Sequence, residues 1–353
     1  MSRPSRPSQL SRLSRLSRPC RPTRPCRARR ERPRPGTRPS EHALKIRILG
    51  TAAGGGLPQW NCGCAGCATA RSTGAARSQD CLAVSADGDA WYLVNASPDL
   101  RSQLLAAPEL APPPGTRDTP LRGVLLTSGE LDHTLGLVTL REAAELTVHA
   151  TAPVRAALHE AFPVGPLLAP YTKAHWHTVV PGEPVELAGG LLAEPLALGG
   201  KRPRYAADLA ALPAGERPEE PSGGRTDWVI GYRFTEAGGR ARAVYAPGLA
   251  AWTPAVDRAV ADADVVILDG TFATDDELAE RTGGARGSRG MGHLAVADSL
   301  PHLAGRPGPR YLYTHLNNTN PLAHPGSPEA AALAPALAAA GAAVAEDGML
   351  LDL

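Results

Sequence analysis

The feature that most restricts the fold is a strand, a tight turn and a helical pattern that follow one another within residues 121–142. Residues 123–127 are rich in branched apolar side chains, which is typical of a buried strand, and Ser128-Gly129 then turn the chain. Three potential metal ligands follow this turn: Glu130, Asp132 and His133. Because α/β folds bind ligands where strands end at a cleft, the stretch predicts a site. A helix start rich in acidic residues is the alternative.

Two later strands end in the same kind of side chain. The apolar residues 265–268 lead into Asp269, and residues 311–314 lead into His315. With Glu130, Asp132 and His133 after the first strand, three apolar strands thus end in polar residues of ligand type. The shared position at the ends of strands favours a common cleft, although no single residue is convincing alone.

Cysteine spacing predicts a second metal site. Cys62, Cys64 and Cys67 lie within six positions, which is too tight for a conventional disulfide framework. Three thiolates at this spacing bind one tetrahedral Zn²⁺ when a fourth ligand comes from elsewhere. Such a closed site is structural, and three free thiols are the alternative interpretation.

Charge divides the chain into a basic tail and an acidic body. Residues 1–42 hold thirteen Arg and two Glu, so the total net charge of +2 leaves about −9 for residues 43–353. The tail is rich in Pro and Arg, which predicts disorder; it is interpreted as a passive extension, a mis-assigned start or a polyanion-binding segment. The acidic body has no footprint for nucleic acid and no apolar run that spans a membrane. The tail also lacks the apolar region of a signal peptide, so we predict a cytoplasmic protein.

Three local predictions come from patterning alone. After the turn at Ser128-Gly129, helical spacing predicts an inward face made of Leu135, Val138 and Leu140. Residues 191–224 are rich in Gly, Pro and charge, which predicts a loop. This loop is interpreted either as a basic lid for an acidic substrate or as a solvated segment, and its cations include Lys201, Arg202 and Arg204. Residues 343–352 are predicted to form one last strand.

Seven segments carry a resemblance to a known family: I-L-G-T-A-A-G-G-G-L-P-Q-W-N-C-G-C-A-G-C, V-N-A-S-P-D-L-R, L-D-H-T-L-G-L, Y-A-P-G-L, L-D-G-T-F, M-G-H-L and Y-T-H-L-N-N-T-N-P. In these motifs the sequence resembles the metallo-β-lactamase superfamily and, more closely, the pyrroloquinoline quinone (PQQ) biosynthesis protein B family. The resemblance implies an α/β (α+β) fold, an αββα sandwich of two mixed β-sheets flanked by helices, in one domain of residues 43–353.

The chain departs from the hydrolytic members of that superfamily. Where they carry His-x-His-x-Asp-His, this sequence reads S-G-E-L-D-H over residues 128–133, and Y-A-P-G replaces the region of the bridging Asp. Only Asp132, His133 and His315 of the ligand set remain, so two-ion hydrolysis is not expected. Two His and one carboxylate with open positions suit non-haem Fe(II) and the activation of O₂.

The resemblance also implies roles for neighbouring residues. Glu130 completes or modulates the cleft ligands, and Asp269 orients a ligand. His293 is the candidate proton donor or acceptor, or an additional ligand. Three residues compete for the fourth position of the structural zinc: Asn318, Cys81 and His324. Charge complementarity suggests two cations for an acidic substrate, Arg101 and Arg141.

Three functional hypotheses remain open at this point. The first is an iron-dependent oxygenase that hydroxylates the tyrosine-derived ring of a PQQ precursor, with O₂ as co-substrate and other PQQ-biosynthesis proteins as potential partners. The second is a carrier that hands PQQ or its precursor on for transport to the periplasm. The third is a metal-dependent hydrolase.

Overall fold

The structure is a computed structural model that describes residues 44–209, 227–282, 287–306 and 308–353. The predicted disordered tail, residues 1–42, and the second half of the predicted loop lie outside the described residues. No helix in the described ranges is long and apolar enough to cross a membrane. A cytoplasmic location stays a prediction.

The strands of the described residues form two sheets of seven strands each. The first sheet contains β1 (Lys45–Gly50), β2 (Cys81–Ser85), β3 (Trp91–Val94), β4 (Leu121–Leu125), β5 (Glu145–Ala150), β6 (Lys173–Thr178) and β14 (Leu350–Asp352). Its order is β14-β1-β2-β3-β4-β5-β6, and the pairs from β3 to β6 are parallel. The ends of β3 to β6 therefore lie at one edge, where β4 leads into the predicted site.

The second sheet repeats this mixed arrangement. It contains β7 (Val185–Glu186), β8 (Leu191–Gly199), β9 (Val229–Glu236), β10 (Arg242–Ala246), β11 (Val265–Asp269), β12 (Arg310–Thr314) and β13 (Ala342–Val344). Its order is β13-β12-β11-β10-β9-β8-β7, with parallel pairs from β10 to β13. The ends of β11 and β12 consequently lie side by side and carry Asp269 and His315.

Helices connect the strands and cover the sheets. They are α1 (Ala65–Thr73), α2 (Leu100–Leu105), α3 (Leu131–Thr134), α4 (Ala152–Ala156), α5 (Val164–Leu168), α6 (Pro254–Ala261), α7 (Glu277–Thr282), α8 (Val296–Leu303) and α9 (Pro328–Ala339). Apolar residues from both sheets, such as Ile46 and Ile267, form one core between them. Two further cores join the outer face of each sheet to its helices, so the predicted layering of helix, sheet, sheet and helix is confirmed.

The predicted helical face after the turn is partly wrong. α3 has only four residues, and a 3₁₀ helix continues it from Leu135 to Glu142. Leu137 and Leu140 are buried, whereas Leu135 is 37% exposed. A 3₁₀ helix has three residues per turn, so residues three apart share a face and the α-helical spacing assigned the wrong residues.

Two predictions about strands need correction. Residues 191–199 were expected to be a loop but form the strand β8. Pro195 has no backbone N–H to donate, and the sheet tolerates it because β7 pairs with β8 only at Leu192 and Ala193. Residues 343–352 were expected to be one strand, yet they contain β13 and β14, which belong to different sheets. Gly348 has a φ of 83°, and a turn at this glycine separates the two strands.

Candidate functional site

Three candidate ligands come together from the ends of β4 and β12. Asp132 and His133 lie in α3, directly after the turn that follows β4, and His315 follows β12. Ligand atoms of all three lie within 4.8 Å of one another, and His315 Nε2 is 3.4 Å from Asp132 Oδ2. The φ of His315 is 57°, in the left-handed region that residues other than glycine rarely adopt. Backbone strain of this kind is often found at functional sites. The two sheets thus meet at one site, as the positions of the strand ends predicted.

Hydroxyl groups determine which nitrogen of each imidazole faces the cleft. The Thr271 hydroxyl donates to Asp269 Oδ1 at 2.6 Å, so it accepts a hydrogen bond from His315 Nδ1 at 2.8 Å. The Ser128 hydroxyl lies 2.8 Å from His133 Nδ1 in the corresponding position. With Nδ1 of both rings occupied in this way, Nε2 is the nitrogen directed at the other candidate ligands.

Both Nε2 atoms are buried and have no hydrogen-bond partner within the described residues. His133 is 4% exposed and His315 is 5% exposed, so bulk water does not satisfy them. Buried polar atoms without partners are costly, and two that converge on a carboxylate indicate a site for a cation. Asp132, His133 and His315 therefore fit a metal ion that has two imidazole ligands and one carboxylate ligand.

The protonation of these groups agrees with a cation site. Burial lowers the pKa of His133 to about 4, so this ring is neutral at pH 7. For His315 burial acts in the same direction, but the Asp132 carboxylate and the charges of Asp80 and Asp269 outweigh it and raise the pKa to about 9. In the metal-free protein the positive charge of His315 therefore offsets the neighbouring carboxylates, and a bound metal cation would do the same.

Asp269 lies on the Nδ1 side of the His315 ring, away from Asp132. Hydrogen bonds occupy both oxygens of its carboxylate. Its Oδ1 accepts from the Thr271 backbone N–H at 2.9 Å and from the Thr271 hydroxyl. Its Oδ2 accepts from the Leu249 N–H at 2.9 Å and from His293 Nδ1 at 2.7 Å. Four donors use the lone pairs of this carboxylate, so the contacts favour an orienting role over metal ligation.

A cavity of about 230 Å³ opens in front of the candidate ligands and is lined by Asp132, His133, His293 and His315. Gly54 forms part of its wall, and a Cβ at this position would lie 3.2 Å from Asp132 Oδ2. The glycine-rich turn thus provides the close backbone approach that its sequence allows. Glu130 also lines the cavity, but it does not belong to the ligand group, since its carboxylate lies 3.6 Å from Lys201 Nζ.

The cysteines form a separate group. The Sγ atoms of Cys62, Cys64 and Cys67 lie within 4.8 Å of one another at the start of α1. Cys64 caps this helix, and its Sγ accepts from the Cys67 N–H at 3.4 Å. Asn318 closes the group, with its side-chain amide 3.3 Å from Cys62 Sγ and 3.5 Å from Cys67 Sγ. The three thiols fit a zinc ion, and Asn318 could supply a fourth ligand only through its amide oxygen, because the amide N–H is a donor.

The other two candidates for the fourth zinc position lie apart from the thiols. Cys81 is buried in β2, where its thiol donates to the carbonyl of Asn95 at 3.3 Å. His324 Nε2 contacts the carbonyl of Asn318 at 2.8 Å, and the ring packs where a Cβ on Gly66 would lie. His324 therefore contacts the backbone of Asn318 and not the thiols. Asn318 is the candidate whose side chain contacts the thiols.

Comparison with known proteins agrees with this architecture. The beta-lactamase superfamily domain matches residues 90–316. The coenzyme PQQ synthesis protein B of Methylorubrum extorquens (strain PA1) is 36% identical over 316 residues, which cover 88% of this chain and 100% of the relative. The protein of the same name from Azoarcus sp. (strain BH72) is 37% identical over 329 residues, with the same coverage of both chains. The chain belongs to the coenzyme PQQ synthesis protein B family.

Solved structures place the family in the metallo-β-lactamase fold. The crystal structure of Zn²⁺-bound PqqB from Methylobacterium extorquens matches with a TM-score of 0.76 and 35% identity, over 88% of this chain and 100% of that one. A diphosphatase from the PhnP family matches with a TM-score of 0.59 and 20% identity, over 88% and 97% of the two chains, which supports the fold alone. Both the family and the fold expected from the seven motifs are confirmed.

The structure does not bring every predicted site residue to the cleft. Arg101 lies exposed in α2, and Arg141 is exposed, donates to the carbonyl of Val138 and pairs with Glu142; neither lines the cavity. Sequence reasoning missed Thr271 as the residue that holds His315. Thr271 follows Asp269 by two positions, so a polar run after β11 was the available signal.

Proposed function

We propose that this chain acts in PQQ biosynthesis as a mononuclear iron-dependent oxygenase that hydroxylates the tyrosine-derived ring of a PQQ precursor. The observation that carries the proposal is the pair of buried, unpartnered Nε2 atoms of His133 and His315 beside the Asp132 carboxylate. Family membership supports the pathway, and the ligand chemistry supports the metal. Activation of O₂ is the chemistry that Fe(II) supplies in a set of two imidazoles and one carboxylate with open positions.

The residues of the chain position this set and hold protons near it. Thr271 and Ser128 fix the rings of His315 and His133 through their Nδ1 atoms. His293 lines the cavity with its side chain 12% exposed, and its Nδ1 contacts Asp269. We assign His293 as the group that exchanges a proton with the substrate, with Asp269 setting its orientation.

A second function from the same fold, metal-dependent hydrolysis, has one observation in its favour. Ligand atoms of Asp269, His293 and His315 also lie within 4.8 Å of one another and could hold a second ion. Two-ion hydrolysis would need Asp269 as a ligand, yet four donors already occupy its carboxylate. The single-ion assignment therefore has the stronger support.

We also propose that the cysteine group holds a structural zinc ion, with Asn318 in the fourth position. All four positions of such a site are filled by the protein, which leaves no place for a substrate. Its proposed task is to fix the loop that precedes α1, including the glycine-rich turn beside Asp132.

The test is reconstitution of metal-free protein with one metal at a time. With Fe(II), a tyrosine-containing substrate and ascorbate as reductant, we expect O₂ uptake and a product heavier by one oxygen atom. The second oxygen atom leaves as water, with two electrons supplied by ascorbate. No hydroxylation with any divalent metal would end the oxygenase proposal. Binding of PQQ that survives His133→Ala and His315→Ala would then indicate a carrier, and cleavage of a phosphodiester with Zn²⁺ or Mn²⁺ would indicate a hydrolase.

A further inference from the structure

A short basic loop crosses the mouth of the cleft, and the proposed function does not use it. Lys201, Arg202 and Arg204 line an outer cavity of about 640 Å³. Five residues line both this cavity and the inner one: Gly54, Glu130, Asp132, Lys201 and Met291. The two cavities are therefore parts of one cleft, with the candidate metal ligands inside and the cations at the entrance.

We infer that Lys201 and Arg204, here named the basic edge, bind the carboxylates of a small aromatic ligand that carries at least two of them. The identity of the ligand as a PQQ precursor or PQQ rests on the proposed function. The recognition of carboxylates by the basic edge rests on the contacts of the loop.

The loop packs against the Ser128-Gly129 turn, which directly precedes the candidate ligands of α3. The Tyr205 hydroxyl donates to the carbonyl of Gly129 at 2.5 Å. A Cβ at Gly129 would lie 3.0 Å from that hydroxyl and 3.2 Å from Pro203 Cγ, so a side chain here would push the loop outward by a few tenths of an ångström. Packing of this kind fixes the distance between the loop and the metal-binding turn.

Arg202 anchors the loop and is therefore not part of the basic edge. Its guanidinium lies 5.2 Å from the ring centroid of the buried Trp228, a distance typical of a cation–π contact. It also donates to the carbonyl of Ala207 at 3.0 Å. With Arg202 engaged in these contacts, Lys201 and Arg204 remain for a ligand.

Lys201 is held over the entrance. Its aliphatic stem packs on Gly292, where an added Cβ would lie 3.0 Å from Lys201 Cδ. Its ammonium lies 3.6 Å from the Glu130 carboxylate, so in the free protein Glu130 occupies a position that a ligand carboxylate can share or take. No ion-pair partner of Arg204 lies within the described residues, and its side chain is exposed at the rim. A strongly basic group that lacks a carboxylate is suited to bind one.

Two apolar side chains line the same outer cavity as the cations. Leu131 and Leu135 also line the outer cavity, and they are 43% and 37% exposed. Apolar side chains exposed beside paired cations match a ligand that has a flat apolar body and acidic substituents. The solvated-loop interpretation of this segment explains neither the anchoring of Arg202 and Tyr205 nor the position of Lys201.

Isothermal titration of the full-length, metal-loaded protein tests the inference with two probes, PQQ and benzene-1,3,5-tricarboxylate. Lys201→Gln and Arg204→Gln should each raise Kd by about tenfold, because each removes a charge-assisted hydrogen bond. Arg141→Gln is the matched control, since it removes the same charge from an exposed residue outside the cleft and should leave Kd unchanged. Glu130→Gln should lower Kd a few-fold, because it removes a competing carboxylate.

The outcomes separate this inference from the proposed function. An unchanged Kd in both edge variants, an equal loss in Arg141→Gln, or inorganic phosphate competing as well as the tricarboxylate would overturn the basic edge. Binding of the tricarboxylate that depends on Lys201 and Arg204, with no binding of PQQ, would keep the edge and reject the PQQ ligand. Arg204→Lys should recover part of the affinity, and metal content measured on every variant excludes an indirect effect on the cleft.

Discussion

The cleft takes its candidate ligands from two sheets, whereas the cysteine group takes three of its four from six consecutive residues. In the cleft, Asp132 and His315 face a cavity of about 230 Å³ that leads to the surface. Around the thiols, Asn318 fills the remaining side. One short segment joins the sites, because His315 and Asn318 lie three residues apart.

The difference teaches how one fold uses two metal sites for different purposes. A site assembled from distant strands exists only after folding, and its open side admits a substrate. A site built from neighbouring residues closes on itself and stabilises a loop. In this chain the closed site lies next to the glycine-rich turn that packs against Asp132, so we expect the local site to support the distant one.

The largest expected effect is on the open site. His315→Ala should lower hydroxylation by about a thousandfold, roughly 4 kcal/mol, because an activating ion loses one of its ligands. Metal analysis should find one metal fewer per chain, with the zinc of the cysteine group retained. Loss of the zinc as well would contradict a cysteine group that holds its ion without help from the cleft.

Removal of a zinc ligand should mainly lower the free energy of unfolding. Cys67→Ala should lower the free energy of unfolding by about 3 to 4 kcal/mol, because a metal that binds only the folded state contributes its binding energy to folding. Cys81→Ala is the matched control, since Cys81 is equally buried but lies outside the group. Chemical denaturation with and without a chelator measures both. Equal losses in the two variants would argue that burial alone matters at Cys67.

The Thr271 hydroxyl, which contacts His315 Nδ1, should raise the affinity of the cleft for its metal. Thr271→Val keeps the shape of the side chain but removes the partner of His315 Nδ1, so Fe(II) affinity should fall by about 10- to 100-fold. Thr314→Val serves as the control, because the Thr314 hydroxyl contacts Asp80 and no histidine. Metal titration monitored by competition with a coloured chelator gives both dissociation constants. Similar values for the two variants would reject the positioning role.

The smallest effect concerns an unpartnered nitrogen that belongs to neither site. His149 Nδ1 is buried without a partner, and the ring stacks on His177 at 5.1 Å, yet no third ligand type joins them within the described residues. Burial and the facing His177 lower the pKa of His149 to about 4, whereas the unfolded value is about 6.5. Between these values the unfolded state binds the extra proton, so stability is lost as the pH falls.

The corresponding measurement is the pH dependence of unfolding. Relative to His149→Leu, the wild type should lose about 1.4 kcal/mol between pH 7.5 and pH 5.5. Parallel pH profiles of the two proteins would show that His149 does not contribute. Addition of metal should leave the difference unchanged, since one unpartnered imidazole without a converging carboxylate is not a metal site.

Much of both sites could be predicted from the sequence for a physical reason. Cys62, Cys64 and Cys67 are close in the chain, and proximity along the chain guarantees proximity in space. Asp132 and His315 were predicted because each follows the end of an apolar strand, which is where α/β folds place their ligands. Thr271 was missed because its contact with His315 joins residues 44 positions apart, and its place two residues after Asp269 does not reveal that contact.

The basic residues show the same limit of prediction from the sequence, because two of them were assigned to the cleft wrongly. Charge alone suggested Arg101 and Arg141 as substrate contacts, but α2 and the 3₁₀ helix after α3 expose them away from the cavity. Lys201 belongs to a segment that composition left open between a basic lid and a solvated loop. Its position over the cleft depends on Gly292 and on the Tyr205 contact with Gly129, both of which join distant parts of the chain.

The amino-acid order alone determined the family and, through the resemblance of its seven motifs, the two-sheet sandwich. It also determined the residue types available at each strand end, because local spacing and apolar periodicity are properties of neighbours in the chain. Tertiary structure alone decided which imidazole nitrogens face the cleft, that Asp269 is already saturated, that Glu130 faces Lys201, and which cations reach the entrance. These depend on distances between residues far apart in sequence, and only the packing of the two sheets against each other sets such distances.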